Sequence, residues 1–147
     1  MENKEKTIKE KIKLVNETLK KGEPINISVD NHSGYSGYKP QYVIDAMNNA
    51  FDIGEWGFEI KARAIKEFVT LDKEGNKKNN ALALCTIQVW IKDVEFKPEA
   101  DGQSRVTRGD FGDGMKGAQT DAIKKALSYF SIGNRAYHGL LTIKNNI

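Results

Sequence analysis

The chain has 147 residues, the size of one ordinary domain, and 39% of them are hydrophobic and 29% charged. This composition is too apolar for wholesale disorder, and the length can bury a core without disulfides or a structural metal. No apolar run approaches the roughly 18 residues of a membrane span, and none follows the charged N-terminus as in a secretory signal. Cys85 is the single cysteine, which excludes a disulfide framework and favours a reducing, cytoplasmic setting.

Charges of one sign cluster along the chain, although the net charge is only +3. Between residues 93 and 113 six acids stand against three bases, whereas from residue 116 onward five bases stand against Asp121 alone. A positively charged segment is typical of an anion-binding face. The negatively charged segment before it could contact the positive segment of another copy, as in a head-to-tail assembly. The five bases are Lys116, Lys124, Lys125, Arg135 and Lys144.

The first predicted element is an amphipathic helix over residues 4–21. Its apolar residues recur at three- and four-residue steps, its other faces carry Lys and Glu, and Gly22 ends it. We expect residues 1–22 to lie at an interface between subunits. A helix lying on a membrane surface is the alternative, which the mixed charges and the lack of aromatic anchors disfavour.

A stretch rich in glycine, serine and asparagine, residues 26–39, separates this helix from a second one. We predict a loop there, whose Tyr35 and Tyr38 either stack on nucleic-acid bases or pin the loop to the core. Pro40 is well placed to begin the second helix because its missing N–H is not needed in the first turn, and Gly54 would end that helix.

Apolar and polar residues then alternate, which is the period of a strand. We predict strands over residues 56–71, 81–96 and 104–108, joined by short turns at 72–76 and 98–103 and therefore antiparallel. The second strand is apolar on both faces, so we expect it to be covered on both sides. Four aromatic residues are expected in the core, with base stacking on an open sheet as the alternative: Trp56, Phe58, Trp90 and Phe96.

The strongest helix pattern comes last, after a glycine-rich junction at residues 109–114, and closes at Gly133. Lys116, Thr120, Lys124 and Ser128 recur every four residues on one face, with Lys125 beside them. Such a row of donors and cations fits a phosphate backbone, although a solvated face is the commoner cause of the pattern. The order of elements predicts an α+β fold: a three-stranded antiparallel meander with helices packed on one face.

The glycine-rich junction matches no nucleotide-binding fingerprint, and its two G-x-x-G spacings are too common to indicate an RNA-binding module. We interpret Asp110 and Asp113 as helix N-caps, because carboxylates would repel a phosphate. Together with Asp121 they could instead hold a divalent metal, which is the basis of a nuclease alternative. No serine or cysteine nucleophile has a local signature, so we predict that the chain is not an enzyme.

Two segments resemble the marker sequences of the Rad52/Rad22-type single-strand annealing proteins. Residues 115–130, which read MKGAQTDAIKKALSYF, resemble the signature helix of that family. Residues 42–51, which read YVIDAMNNAF, and the GEWGFEI that begins at Gly54 resemble its helix before a Trp-bearing first strand. The similarity extends from Tyr38 to Leu141 with both blocks in family order, and we expect residues 1–147 to form a single DNA-annealing domain.

The resemblance implies a homo-oligomeric ring that holds single-stranded DNA in a basic groove and anneals complementary strands in recombination and repair. It implies no nucleotide hydrolysis, no metal and no other cofactor. Lys124 and Lys125 fall on the basic pair of the inner groove, and Lys116 on a basic position before it. Arg105 and Lys92 fall near a second, outer DNA site. The predicted DNA-binding set is completed by Arg108, Arg63 and Lys39.

The sequence departs from the family pattern at three positions. Ser128 stands where an arginine follows the lysine pair, Val43 where an arginine stands in the second helix, and Ile53 where an aromatic follows it. Lys39, Arg63 or Tyr42 could compensate. We expect a minimal bacterial or phage version, without the long tail by which eukaryotic members bind a recombinase and a single-strand binding protein.

Three functions follow from these patterns. The first is ATP-independent annealing of complementary strands; the second is a module of the same fold that covers DNA ends without annealing; the third is the metal-dependent nuclease. The expected partners are single-stranded DNA, further copies of the chain, and a recombinase or single-strand binding protein, with no membrane. The expected location is the cytoplasm of a bacterial or phage-infected cell.

Overall fold

The computed structural model describes residues 6–29 and 36–141, and these fall into two compact units. The first unit contains the residues up to Trp56 and from Leu127 onward, and the second contains Gly57–Ala126. The fold is α+β with antiparallel strands, as predicted. The elements are α1 (Ile8–Lys21), β1 (Ile27–Val29), β2 (Ser36–Tyr38), α2 (Pro40–Ala50), β3 (Trp56–Leu71), β4 (Lys77–Ile91), β5 (Glu99–Arg105), α3 (Phe111–Ser128) and α4 (Asn134–Tyr137).

Helices α1 and α2 pack against each other in the first unit. The predicted start of α1 at residue 4 is too early, because the Thr7 side chain accepts a hydrogen bond from the Glu10 backbone N–H (3.2 Å) and caps the helix there. Residues 4 and 5 lie outside the described chain. Helix α2 begins at Pro40 as predicted and ends at Ala50, before Gly54. The unit buries Val15, Leu19, Tyr38, Val43, Ala46, Met47, Phe51, Leu127 and Ile132.

The prediction of a loop over residues 26–39 is wrong at both ends of that segment. Strands β1 and β2 pair antiparallel, with Ile27 opposite Tyr38 and Val29 opposite Ser36. Each strand has three residues, too few to show a period in the sequence, and cross-strand pairing stabilises them. Tyr38 is buried, which confirms its role in the core, whereas Tyr35 lies outside the described residues.

A buried ion pair joins distant parts of the first unit. The Glu23 side chain is only 2% exposed and accepts hydrogen bonds from Arg135 of α4 at 3.0–3.2 Å and from the Tyr38 hydroxyl at 3.0 Å. Burial, followed by the adjacent carboxylate, raises the pKa of Tyr38 above its ordinary range. Arg135 also donates to the Leu140 carbonyl oxygen (2.7 Å), so this pair ties the segment after α3 to the end of α1.

The second unit contains a sheet of order β3-β4-β5. The predicted turn at residues 98–103 is wrong, because β5 begins at Glu99 and pairs with β4 as far as Arg105 opposite Leu82. Its Asp-Gly resembles a turn signal, but the glycine has another reason. A Cβ at Gly102 would overlap the Ala118 carbonyl oxygen and the Ala122 backbone of α3, so only glycine allows the helix to lie this close to the sheet.

Helix α3 covers one face of this sheet, and the core of the unit lies between them. Alternate residues of β4 from Ala83 to Ile91 are buried, whereas those between them are only half-buried, so the expectation of cover on both faces is wrong. Strand β4 also begins and ends earlier than predicted, at Lys77 and Ile91. The buried set is Ala83, Cys85, Ile87, Val89, Ile91, Ala118, Ala122, Ile123 and Ala126.

Strand β3 is one of the two edge strands of the sheet and is exposed along almost its whole length. The core prediction is therefore wrong for Phe58, and it is also wrong for Phe96, which lies after β4 and is exposed. Trp56 and Trp90 are half-buried. In the residues that the structure describes, no helix is long and apolar enough to cross a membrane.

Candidate nucleic-acid interface

Three lysines lie on the cationic face of α3: Lys116, Lys124 and Lys125. The helix is capped by Asp110, whose carboxylate accepts a hydrogen bond from the Asp113 backbone N–H (3.0 Å). The N-cap interpretation is confirmed for Asp110, whereas Asp113 lies in the first turn. The Thr120 hydroxyl donates to the Lys116 carbonyl oxygen (3.1 Å), so this predicted donor is used inside the helix.

Asp121 is the acid that borders the lysine pair. Its carboxylate lies 2.9 Å from the Lys125 ammonium and also accepts a hydrogen bond from the Gln103 backbone N–H of β5 (3.1 Å). Asp121 therefore fixes the position of Lys125 and links α3 to the sheet. The sequence predictions treat Asp121 as the lone acid of the basic segment and as a candidate metal ligand, although its i,i+4 spacing to Lys125 is the signal for an ion pair.

Lys124 is half-buried, unlike the exposed Lys116. Burial lowers the pKa of Lys124, the neighbouring Lys125 lowers it further, and Asp121 opposes both. The ammonium group is thus poorly hydrated. A phosphate oxygen beside it would favour the charged form, so Lys124 is suited to an anionic ligand.

Arg63 of β3 reaches α3 through a hydrogen bond from its guanidinium to the Gln119 side-chain oxygen (3.3 Å). The same guanidinium lies near Cys85. Burial raises the pKa of the Cys85 thiol, and Arg63 only partly opposes this effect. The structure therefore brings Arg63 to the helix that carries the three lysines, which sequence spacing alone did not indicate.

Arg105 and Arg108 lie together at another place in the second unit, where the strand ends form a groove. A cavity of about 490 Å³ there is lined by both arginines and by residues of β3 and β4. An adjoining cavity of about 550 Å³ shares Arg108 and extends to the start of α3. We call these two cavities the strand-end groove. Its lining includes Phe68, Lys78, Asn79, Arg105, Arg108 and Phe111.

The two remaining predicted DNA-binding residues are Lys92 in the second unit and Lys39 in the first. Lys92 lines a cavity of about 620 Å³ after β4, together with the acids Asp93 and Glu95. Lys39 lies in the first unit, at the N-cap of α2, where its backbone N–H donates to the Asn26 carbonyl oxygen (2.8 Å). Val43, which stands at a family arginine position, is a buried residue of α2.

The carboxylates of the nuclease alternative have structural partners. Asp110 caps α3, and Asp121 pairs with Lys125 and β5. Within residues 6–29 and 36–141, no three His, Cys, Asp or Glu side chains come together as a group that could hold a metal ion. The geometry therefore gives the nuclease alternative no support of its own.

Residues 8–145 match a family model described as Rad52/22 family double-strand break repair protein. The match covers nearly the whole chain and includes both segments in which the resemblance was recognised, residues 42–60 and 115–130. No curated protein matches the chain. The resemblance inferred from the two segments is confirmed by this match.

Proposed function

From the premise that this chain belongs to the Rad52/22 family of double-strand break repair proteins, we propose that it binds single-stranded DNA and anneals complementary strands without ATP. Membership of the family assigns the chain to DNA repair and recombination. The proposal adds that the active form is a ring of identical subunits, in the cytoplasm of a bacterial or phage-infected cell, with a recombinase or single-strand binding protein as further partner.

The observation that carries the proposal is the cationic face of α3. Lys116, Lys124 and Lys125 lie on one rigid helix. Among the ion pairs of the described residues, the one on this helix joins Asp121 to Lys125. Phosphate repulsion opposes the approach of two strands, and cations along one strand reduce it. Contacts to the backbone carry no sequence information, which an annealing protein requires.

The exposed apolar side chains of β3 support assembly with further copies of the chain. Phe58, Ile60, Ile65, Val69 and Leu71 are exposed on a strand whose outer edge has no partner strand in the described chain. Long exposed edge strands with apolar residues are normally covered in the working protein. A ring would cover β3 and would multiply a weak affinity per subunit by avidity.

An annealing assay tests the proposal directly. Two complementary labelled oligonucleotides are mixed with and without the protein, and pairing is followed by energy transfer in the absence of ATP and with a chelator present. We expect pairing to be faster with the protein. A protein that binds both strands without acceleration would be the end-covering module, and chelator-sensitive loss of labelled strands would indicate the nuclease.

Replacing the lysine pair by alanine tests the site. For K124A/K125A we expect weaker binding and a slope of log affinity against log salt that is smaller by about 0.7 for each lysine that contacts a phosphate. The matched control is K73A/K97A, which removes two exposed lysines of the second unit that lie outside the cationic face of α3. Fluorescence anisotropy across a salt series gives both slopes. Equal slopes for the two variants would show that Lys124 and Lys125 do not contact the DNA phosphates.

A further inference from the structure

We propose that the side-chain amine of Lys124 forms a Schiff base with an aldehyde, and that this aldehyde is the open-chain deoxyribose left in single-stranded DNA where a base has been lost. The inference rests on the proposed function, because the bound strand must bring the sugar to the cationic face of α3. It adds a covalent reaction with damaged DNA to the annealing of intact strands. Lysine amines are the protein groups that form Schiff bases with carbonyl compounds.

Lys124 lies between two charged neighbours on a packed helix. It is half-buried, whereas Lys116 on the same face of α3 is exposed. Lys125 follows it directly and Asp121 precedes it by three residues, and both act electrostatically on its ammonium group. The Asp121 carboxylate is fixed in place, because it accepts hydrogen bonds from the Lys125 Nζ (2.9 Å) and from the Gln103 backbone N–H of β5 (3.1 Å). The Lys124 amine is therefore partly shielded from water beside a second cation.

This environment favours the neutral amine, which is the form that attacks a carbonyl carbon. Burial lowers the pKa of Lys124, Asp121 opposes this effect, and Lys125 lowers the pKa further. For each unit by which the pKa of a lysine is lowered, the neutral fraction at a given pH rises about tenfold. Desolvation and a neighbouring cation are the two features that activate lysine nucleophiles in proteins.

The ligand proposed for this face carries an aldehyde only where it is damaged. Loss of a base leaves a deoxyribose whose C1′ carbon opens to an aldehyde, whereas the C1′ of an intact nucleotide is bonded to its base. Lys116 lies about 12 Å from Lys124 along the helix axis, and it and Lys125 would bind phosphates that flank the sugar. The reaction therefore selects a strand that lacks a base and leaves intact DNA unmodified.

The reaction balances without a cofactor, a metal or an oxidant. The lone pair of the neutral Lys124 nitrogen attacks C1′, a C–N bond forms, and the electron pair of the carbonyl π bond moves to its oxygen. Both amine hydrogens leave with that oxygen as water, which gives the C=N bond of the imine. Addition of water reverses the reaction, so the protein would hold the damaged strand covalently and release it unchanged.

The experiment uses the full chain and a labelled oligothymidine with one central abasic site, made by enzymatic removal of a uracil. Cyanoborohydride reduces an imine to a stable amine, so a covalent complex appears as a slower band in a denaturing gel. We expect such a band with the wild-type protein, and mass spectrometry of its peptides should place the DNA on Lys124. The same strand with a tetrahydrofuran in place of the abasic sugar has no aldehyde and should give no band.

Replacing Lys124 by arginine separates charge from reactivity. For K124R we expect at least about a tenfold lower yield of covalent complex, because a guanidinium keeps its proton and does not attack a carbonyl. Yields are compared per bound strand at saturating protein, so that a change in affinity does not alter them. The matched control is K73R, which makes the same replacement at an exposed lysine in the turn between β3 and β4 and should leave the yield unchanged.

The outcomes separate this reaction from the proposed function. If the wild-type protein binds and anneals intact strands but gives no covalent complex, the inference is overturned and the proposed function stands. The same holds if the DNA maps to Lys125 or to the terminal amine, or if K124R and K73R give equal yields. If the wild-type protein binds no single-stranded DNA, both fail. The peptide mapping uses the wild-type chain, so it decides the question even if K124R does not fold.

Discussion

At the scale of single residues, Asp121 has two opposing effects. Its carboxylate pairs with Lys125 at 2.9 Å and accepts the Gln103 N–H of β5 at 3.1 Å, which stabilises the contact between helix and sheet. The same negative charge lies beside the lysines proposed to bind phosphate and reduces their attraction for it. The residue thus supports the fold at some cost to affinity.

Replacing Asp121 by asparagine separates these effects. D121N keeps an oxygen that can accept the Gln103 N–H and removes the charge, so we expect about threefold tighter binding to single-stranded DNA at low salt, with the gain lost at high salt. The free energy of unfolding should fall by less than about 1 kcal/mol, because the ion pair is partly exposed. Anisotropy titrations and urea denaturation measure these two quantities.

The control for this variant is D45N, which removes one exposed carboxylate from α2. If D121N and D45N bind DNA with equal affinity, the Asp121 charge does not act on the bound strand. In that case Lys125 would not be a phosphate ligand, and the assignment of the cationic face of α3 would have to be revised.

Sequence spacing predicted the residues on one helix and missed those brought together from several strands. Lys116, Lys124 and Lys125 follow the period of α3, so their common face could be read directly. Phe68 and Lys78 became neighbours of Arg108 only through the pairing of strands and the end of β5. Their side chains carry no mutual spacing in the sequence, because strand register depends on packing across the whole sheet.

At the scale of elements, the start of α1 is indicated by a capping residue and not by the spacing of the apolar residues. Thr7 and Glu10 have the spacing of an N-cap and its third residue, and the Thr7 oxygen accepts the Glu10 N–H. The apolar period alone extended the helix toward residue 4. Capping chemistry is local, so this boundary was within reach of the sequence.

Removing this cap should destabilise the protein without changing its DNA contacts. For T7A we expect the free energy of unfolding to fall by about 1 kcal/mol, because an N–H in the first turn loses its acceptor. T7S is the control, since its hydroxyl can form the same hydrogen bond. Urea denaturation monitored by circular dichroism measures both, and equal midpoints for T7A and T7S would show that the cap has no energetic role.

The strands were less accessible to prediction than the helices. The β3–β4 hairpin was predicted because Asp72 precedes a glycine, and the Asp72 carboxylate does accept the Glu74 and Asn76 N–H groups. The start of β5 was missed because Gly102 resembles a turn residue, whereas its lack of a side chain serves the approach of α3. A single sequence does not distinguish these two uses of glycine.

At the scale of the whole molecule, the proposed ring depends on surface that a single copy leaves exposed. Ile65 of β3 is 38% exposed, and no residue of that strand is buried. An apolar side chain in that position gains little from the fold of one chain. It gains more if a second copy packs against the strand.

Replacing Ile65 by lysine should therefore weaken assembly and leave the subunit folded. We expect I65K to shift the solution mass toward the monomer, because a charged group at a subunit contact must be desolvated. I53K is the matched control, since Ile53 is fully exposed in the loop after α2. Light scattering behind size-exclusion chromatography measures the mass, and an unchanged I65K oligomer would place the interface elsewhere.

The Glu23–Arg135 pair also limits how far the polypeptide can be trimmed. The Glu23 carboxylate is 2% exposed and accepts hydrogen bonds from Arg135 of α4 and from Tyr38. A protease cut or a stop codon before residue 135 would leave the enclosed Glu23 carboxylate without its cation, which destabilises the fold. A minimal fragment must therefore include α4, even though the lysine-bearing helix ends at Ser128.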